Sequence, residues 1–218
     1  MTSRTRTSRS SMAGVRFSRR ELRDLLAAWV ALAVAFSIFL ERRLLRELLA
    51  GVVPVSAAIR LFALSMLTVG AGFLLHELAH KVVAVRFGQV AEFRADYSML
   101  GLAVVAALAG FLFAAPGAVY HRGRITAREN GLIALAGPLT NVALAAPFLL
   151  LALAGSGFLG SVGRIGLFVN VLLAAFNMIP FGPLDGRKVL AWNKPVFAVV
   201  AVSTGVLAAA LLFGVVPV

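Results

Sequence analysis

Five long apolar runs divide the chain, at about residues 25–40, 58–87, 131–154, 163–179 and 196–216. A sixth, 99–115, is shorter and rich in Gly and Ala. A helix needs about 20 apolar residues to cross a bilayer, with a range of about 17–25. The first and fourth runs are therefore marginal unless their flanks help. The second is too long for the hydrocarbon and is expected to project into the cytosol at 81–86. Residues 90–97 differ in kind: Glu92, Arg94 and Asp96 alternate with Ala91, Phe93, Ala95 and Tyr97. That period of two predicts a short strand with one wet face, and Gly88 breaks the chain before it. No internal repeat and no Pro- or Ser-rich linker interrupts the pattern. The reading is an all-α polytopic membrane protein with about five to six transmembrane helices, a short β segment and a re-entrant segment.

Composition agrees. Hydrophobic residues make up 61% and charged residues 14% of 218 residues, and mean hydropathy is +0.94. A soluble domain is about half apolar and about a quarter charged, so a lipid bilayer is the expected solvent. The absence of cysteine excludes disulfides, thiolate zinc sites and a cysteine nucleophile.

The net charge is +12, unevenly spread. Arg4, Arg6, Arg9, Arg16, Arg19, Arg20 and Arg23 precede the first apolar run. Such a Ser/Thr-rich basic tail can bind nucleic acid or anionic lipid. It is read here as a disordered cytosolic flank, 1–23, that orients the first span, with no nucleic-acid partner expected. Glu41, Arg42 and Arg43 follow the run where a signal peptide would carry small residues, so the run is expected to stay as an anchor. Asp24 and Glu41 read as boundary charges. Residues 24–218 form one transmembrane domain.

His76-Glu77-Leu78-Ala79-His80 is an HExxH motif inside an apolar run. Residues four apart on a helix share a face. Two imidazoles one turn apart can therefore both reach a zinc ion at about 2 Å. Glu77, beside the first of them, can hold a water and take its proton. A carboxylate within a span costs about 2.5–3.5 kcal/mol on insertion scales, which favours a functional reading. A third ligand is needed. His121 lies in a basic loop with Arg122 and Arg124. Asp185, after Pro180 and Pro183 and before Gly186, is the acidic residue besides Glu77 in the most apolar setting. It reads either as a ligand or as a turn residue.

HELAH in one span and Asn177-Met178-Ile179-Pro180-Phe181-Gly182-Pro183-Leu184-Asp185-Gly186 at the end of a later one resemble the site-2 protease family of intramembrane metalloproteases. Gly137-Pro138-Leu139-Thr140-Asn141 resembles a third motif of that family. The resemblance runs from about Phe62 to Leu190. It implies that His76, His80 and Asp185 bind one zinc ion per chain and that Glu77 is the catalytic base. It also implies that Asn141 and Asn177 lie near substrate or metal, as oxyanion or substrate-binding groups; capping or interhelical hydrogen bonds are the alternative reading of both. The implied activity is hydrolysis of peptide bonds in transmembrane substrates. Arg187 departs from the pattern, which often has a second Gly there. A membrane metal transporter and an inactive membrane-binding relative are the alternatives.

Topology offers an independent check. The arginine-rich tail places the N-terminus in the cytoplasm, the setting expected of the active site too, in a cell membrane. His80 and Asp185 must then meet on the same side, which requires an even number of crossings between them. The runs 131–154 and 163–179 supply two. The segment 99–115 is therefore expected to be re-entrant, turned back by Pro116-Gly117, with a short interfacial helix at 41–49. The 90–97 strand reads either as a strand that pairs with an unwound substrate by strand addition or as part of a short structural hairpin.

Overall fold

Ser18 starts the first helix. Its hydroxyl accepts from Glu21 N at 3.0 Å, and α1 runs over Arg19–Leu40. In the computed structural model the described residues are 14–111 and 116–215. The expected tail thus falls mostly outside them, and its last five residues, 19–23, belong to α1. A six-residue helix, α2 (Leu44–Leu49), follows; it is shorter than the 41–49 segment expected. Next come α3 (Val55–Ser65), a π-helical turn (Met66–Gly70) and α4 (Ala71–Arg86). These three join into a 32-residue rod, about 48 Å long at 1.5 Å per residue. The π turn disturbs the backbone ladder, and Trp29 Nε1 donates to Met66 O at 3.0 Å. Gly70 makes room for that indole, which a Cβ would overlap.

Strand β1 (Val90–Ala95) pairs antiparallel with β2 (Gly117–Arg122), Ala95 lying opposite Gly117. Helix α5 (Tyr97–Ala109) lies between them in sequence. Because Ala95 and Gly117 are neighbours across the ladder, the chain between them leaves and returns at one place. That is the re-entrant course expected of 99–115, of which 112–115 lie outside the described residues. Asp96 caps α5, accepting from Ser98 N at 3.1 Å and Met99 N at 3.0 Å. The Ser98 hydroxyl and these amides hold the Asp96 carboxyl below its ordinary range. Gly110, at φ +86°, ends the helix in the left-handed region that suits glycine. The helix lies along α1: Tyr97 Oη donates to Asp24 Oδ1 at 2.8 Å near one end, and Arg42 Nη2 to Gly110 O at 3.3 Å near the other.

The remaining helices are α6 (Ala127–Ala154), α7 (Gly157–Asn177), α8 (Asp185–Trp192) and α9 (Lys194–Leu212). Thr126 and Glu129 form a capping box at the start of α6. Only Gly155 and Ser156 separate α6 from α7. A Cβ at Gly163 would overlap the Ala152 backbone, and one at Gly166 the Phe148 ring. Small residues let these helices approach closely, as packing between membrane helices requires. Among the described residues five helical segments are long and apolar enough to cross a membrane: 19–40, 55–86, 127–154, 157–177 and 194–212. One core cluster, Leu25, Leu32, Phe36, Phe73, Phe93 and Val169, joins α1, α4, β1 and α7; another, Leu167, Val171 and Ala208, joins α7 to α9.

Two charged residues are more buried than their sequence surroundings suggest. Lys81, at the expected cytosolic end of the second run, is 1% exposed. Its ammonium donates to Glu21 Oε2 and, at 2.6 Å, to Arg16 O, and lies 4.0 Å from the centre of the Phe17 ring. Asp24 is not a surface boundary charge but equally buried, and accepts from Tyr97. These bonds lock the start of α1 to the end of α4 and to β1, at the end of the molecule where the chemistry gathers.

Candidate metal centre

Helix α4 places His76 and His80 one turn apart on one face. Their Nε2 atoms are 3.0 Å apart. Asp185, the first residue of α8, brings Oδ2 to 3.3 Å from His76 Nε2 and 3.1 Å from His80 Nε2. A carboxylate in the first turn of a helix is favoured by the helix dipole. The turn before it folds because Gly186 has no side chain: a Cβ there would overlap Met178 O. Arg187, where the resemblance leads one to expect a second glycine, is exposed and leaves this packing untouched.

Two long helices, α6 and α7, lie between His80 and Asp185, and the α5 excursion returns to its origin. The even crossing count therefore matches the observed meeting of the ligand candidates. His121 is not a member of this group: among the described residues His76, His80 and Asp185 form the one set of donors close enough to share an ion. It lies on β2, along the wall of the same cavity. Burial, with Lys188 and His80 nearby, pushes its imidazole below the ordinary histidine value.

The donor set fits zinc. The three separations, 3.0–3.3 Å, are close to the edge of about 3.3 Å expected of a tetrahedron with bonds of about 2.0 Å. Each histidine is also fixed from behind. His80 Nδ1 lies 2.7 Å from Ile133 O, and His76 Nδ1 lies 2.6 Å from Asn141 Oδ1. Those oxygens only accept, so both Nδ1 atoms carry the proton and both Nε2 lone pairs face Asp185. Gly137 keeps the space open: a Cβ there would lie 2.5 Å from the Nε2 atoms of both histidines.

Glu77 stands beside this group. It is 8% exposed, and its Oε2 is buried without a hydrogen-bond partner. An orphaned buried oxygen is costly, and here it borders a cavity of about 230 Å3. The walls include His76, His80, Asp185 and Asn177, with apolar side chains such as Phe73, Val169 and Leu173.

The two asparagines separate. Asn177 lies on the cavity wall, its Nδ2 donating to Leu173 O at 3.0 Å. Asn141 is fully buried behind His76, and its Nδ2 donates to Gly72 O at 3.2 Å and Asn170 Oδ1 at 2.9 Å. With both amide hydrogens used, Asn141 makes the interhelical bonds that were the alternative to an oxyanion role, and it lies against the ligand candidate His76. Sequence reasoning missed Asn170, although an asparagine in an otherwise apolar run was a visible signal.

Of the two readings of the 90–97 strand, the structural one holds. Successive N–H groups of a strand point to opposite edges. One edge of β1 faces β2. On the other, Phe93 N donates to Glu21 Oε1 at 3.0 Å and Ala95 N to Asp24 Oδ2 at 3.4 Å. Both edges of β1 are thus taken. The outer edge of β2 belongs to Gly117, Val119 and His121, which line the cavity.

Comparison with known proteins adds to this geometry. The chain is 43% identical over 189 residues to the "Putative zinc metalloprotease MJ0611" of Methanocaldococcus jannaschii, covering 85% of this chain and 91% of that protein. The same designation is carried by YwhC of Bacillus subtilis, 30% identical over 61% of this chain and 69% of that protein. It is also carried by Rip3 of Mycobacterium tuberculosis, 37% identical over 55% of this chain but only 28% of that protein. No protein-family model matches the chain. No solved structure matches it.

Proposed function

The chain belongs to the site-2 protease family of zinc metalloproteases, and we propose that it hydrolyses peptide bonds of transmembrane substrates within the bilayer. One observation carries this reading. Two imidazole nitrogens and a carboxylate oxygen converge beside an unpaired glutamate oxygen, in a cavity between helices apolar enough to span a membrane.

His76 Nε2, His80 Nε2 and Asp185 Oδ2 would hold one zinc ion. Bound there, zinc supplies Lewis acidity, acidifying water and polarising a carbonyl. Glu77 Oε2 takes a proton from the attacking water and later returns it to the leaving nitrogen. Asn177, on the wall, is placed to bond a substrate amide. The apolar walls suit the side chains of a membrane-buried peptide. Such a peptide hides its carbonyls in a helix and must unwind; the outer edge of β2 is then the place for strand addition. The crowding of arginines near this end of the molecule, in 16–23 and 122–128, favours a cytoplasmic site in a cell membrane. Among the described residues the ligand candidates form a single group, which argues against the series of sites a metal pathway needs.

The test is cleavage of a single-span substrate by the zinc-loaded protein in liposomes, with the cut mapped by mass spectrometry. A cut within the hydrophobic segment supports the reading; a cut only in exposed flanks contradicts it. Val119→Pro removes an N–H from the outer edge of β2 while leaving the β1 ladder intact. The expected result is loss of cleavage of the single-span substrate with zinc retained; because the Val119 N–H also lies beside the Glu77 carboxyl, a short unfolded peptide that needs no strand addition is the control and should be cut as by wild type. Undiminished cleavage would exclude strand addition at β2.

A further inference from the structure

We propose that Asn170, in α7, is a positioning residue of the metal centre: through Asn141 it determines which ring nitrogen of His76 is left free for the metal. The inference rests on the reading of His76 as a zinc ligand.

A side-chain amide can face either way, and its partners decide which. Asn170 Nδ2 donates to Gly166 O at 2.8 Å, a backbone carbonyl one turn earlier in its own helix. A carbonyl only accepts, so this contact turns Asn170 Oδ1 away from α7 and towards α6. There it accepts from Asn141 Nδ2 at 2.9 Å, whose second hydrogen goes to Gly72 O at 3.2 Å. With both hydrogens engaged, Asn141 must present Oδ1 to His76 Nδ1, 2.6 Å away. The ring proton then sits on Nδ1, and Nε2 keeps its lone pair. Polarity thus passes from the backbone of α7 through two amides to the metal ligand.

Burial makes this chain decisive. Both asparagines are 0% exposed, so no bulk water can substitute for a lost partner. Without the Asn170 oxygen, Asn141 retains one acceptor, Gly72 O. A rotated Asn141 would offer N–H to His76 Nδ1 and favour the tautomer protonated at Nε2, which leaves no lone pair on the nitrogen that faces His80 and Asp185. His80 needs no such relay, because a backbone carbonyl, Ile133 O, fixes it directly. Gly72 keeps the passage clear: a Cβ there would lie 2.8 Å from Asn170 Oδ1.

The experiment is zinc affinity of the full-length protein in detergent micelles, measured by competition with a chelator. Asn170→Ala removes the acceptor. Partners behind a metal ligand are worth about 10–100-fold in affinity, and a loss of that size is expected. Asn170→Asp, as a neutral carboxyl, donates to Gly166 O and accepts from Asn141, so it should bind zinc about as wild type does. If Asn170→Ala is not recovered folded, Asn170→Ser replaces it, since its hydroxyl is too short to reach Asn141. Wild-type affinity in the variant lacking the acceptor overturns the proposal. So does an equal loss in Asn170→Asp, which keeps both the shape and the acceptor and would show that the bond to Asn141 is not what holds the affinity. A wild-type protein that binds no zinc instead removes the metal centre itself, and this inference with it.

Discussion

Helix α4 carries two buried polar clusters side by side, and they are opposites. At Lys81 every group has found its partner: the ammonium meets Glu21 Oε2 and Arg16 O, Glu21 Oε1 takes Phe93 N, and Asp24 takes Tyr97 and Ala95. One residue earlier, at His80, the protein supplies only acceptors facing one another. Two lone pairs and a carboxylate oxygen converge, and Glu77 Oε2 has no partner at all. Buried charge costs free energy unless it is paired. The first cluster is complete, so its role is to hold α1, α4 and β1 together. The second is incomplete without a cation, so its role lies in what it binds.

The sharpest way to separate the two is to damage each. Glu77→Gln leaves the ligands in place but removes the proton acceptor. Cleavage is expected to fall by about 10²–10⁴-fold, the usual worth of a general base, while zinc content stays at wild type. Parallel loss of zinc would show that Glu77 helps hold the site instead. At the other cluster, Lys81→Met leaves Glu21 buried and unpaired, which costs about 3–5 kcal/mol. Thermal unfolding in micelles should show that loss, and the surviving folded protein should still carry zinc. An unchanged melting temperature would mean that the pair contributes nothing. A smaller effect is expected at the border of the metal centre. Gly137→Ala places a methyl against both Nε2 atoms and should weaken zinc by at least the 10–100-fold seen for disturbed supporting residues. Zinc affinity equal to wild type would mean that the histidines have slack the structure does not show.

The same contrast explains what could be read from sequence. HELAH was legible because its spacing is local: two histidines one turn apart need no tertiary knowledge. The crossing count was legible because apolar runs and arginine bias are also local signals. It brought Asp185 to the right face and turned α5 back. The burial of Lys81 was not legible because its partner Glu21 lies 60 residues away, and nothing in either neighbourhood announces the other. Asp24 was misread for the same reason, since arginine beside it suggested a surface charge. The roles of Asn141 and Asn170 depend on which way two amides face, and that is decided by backbone carbonyls on two different helices, α4 and α7. The strand was found but its available edge was not, because Glu21 and Asp24 close β1 from a distant helix.

The most direct test of the metal centre is bound zinc per chain in the wild type and in Asp185→Ala. The account predicts one zinc in the wild type and a marked loss in the variant. Zinc fully retained by Asp185→Ala would contradict it: Asp185 would not be a ligand, and the convergence seen at His76 and His80 would need another explanation.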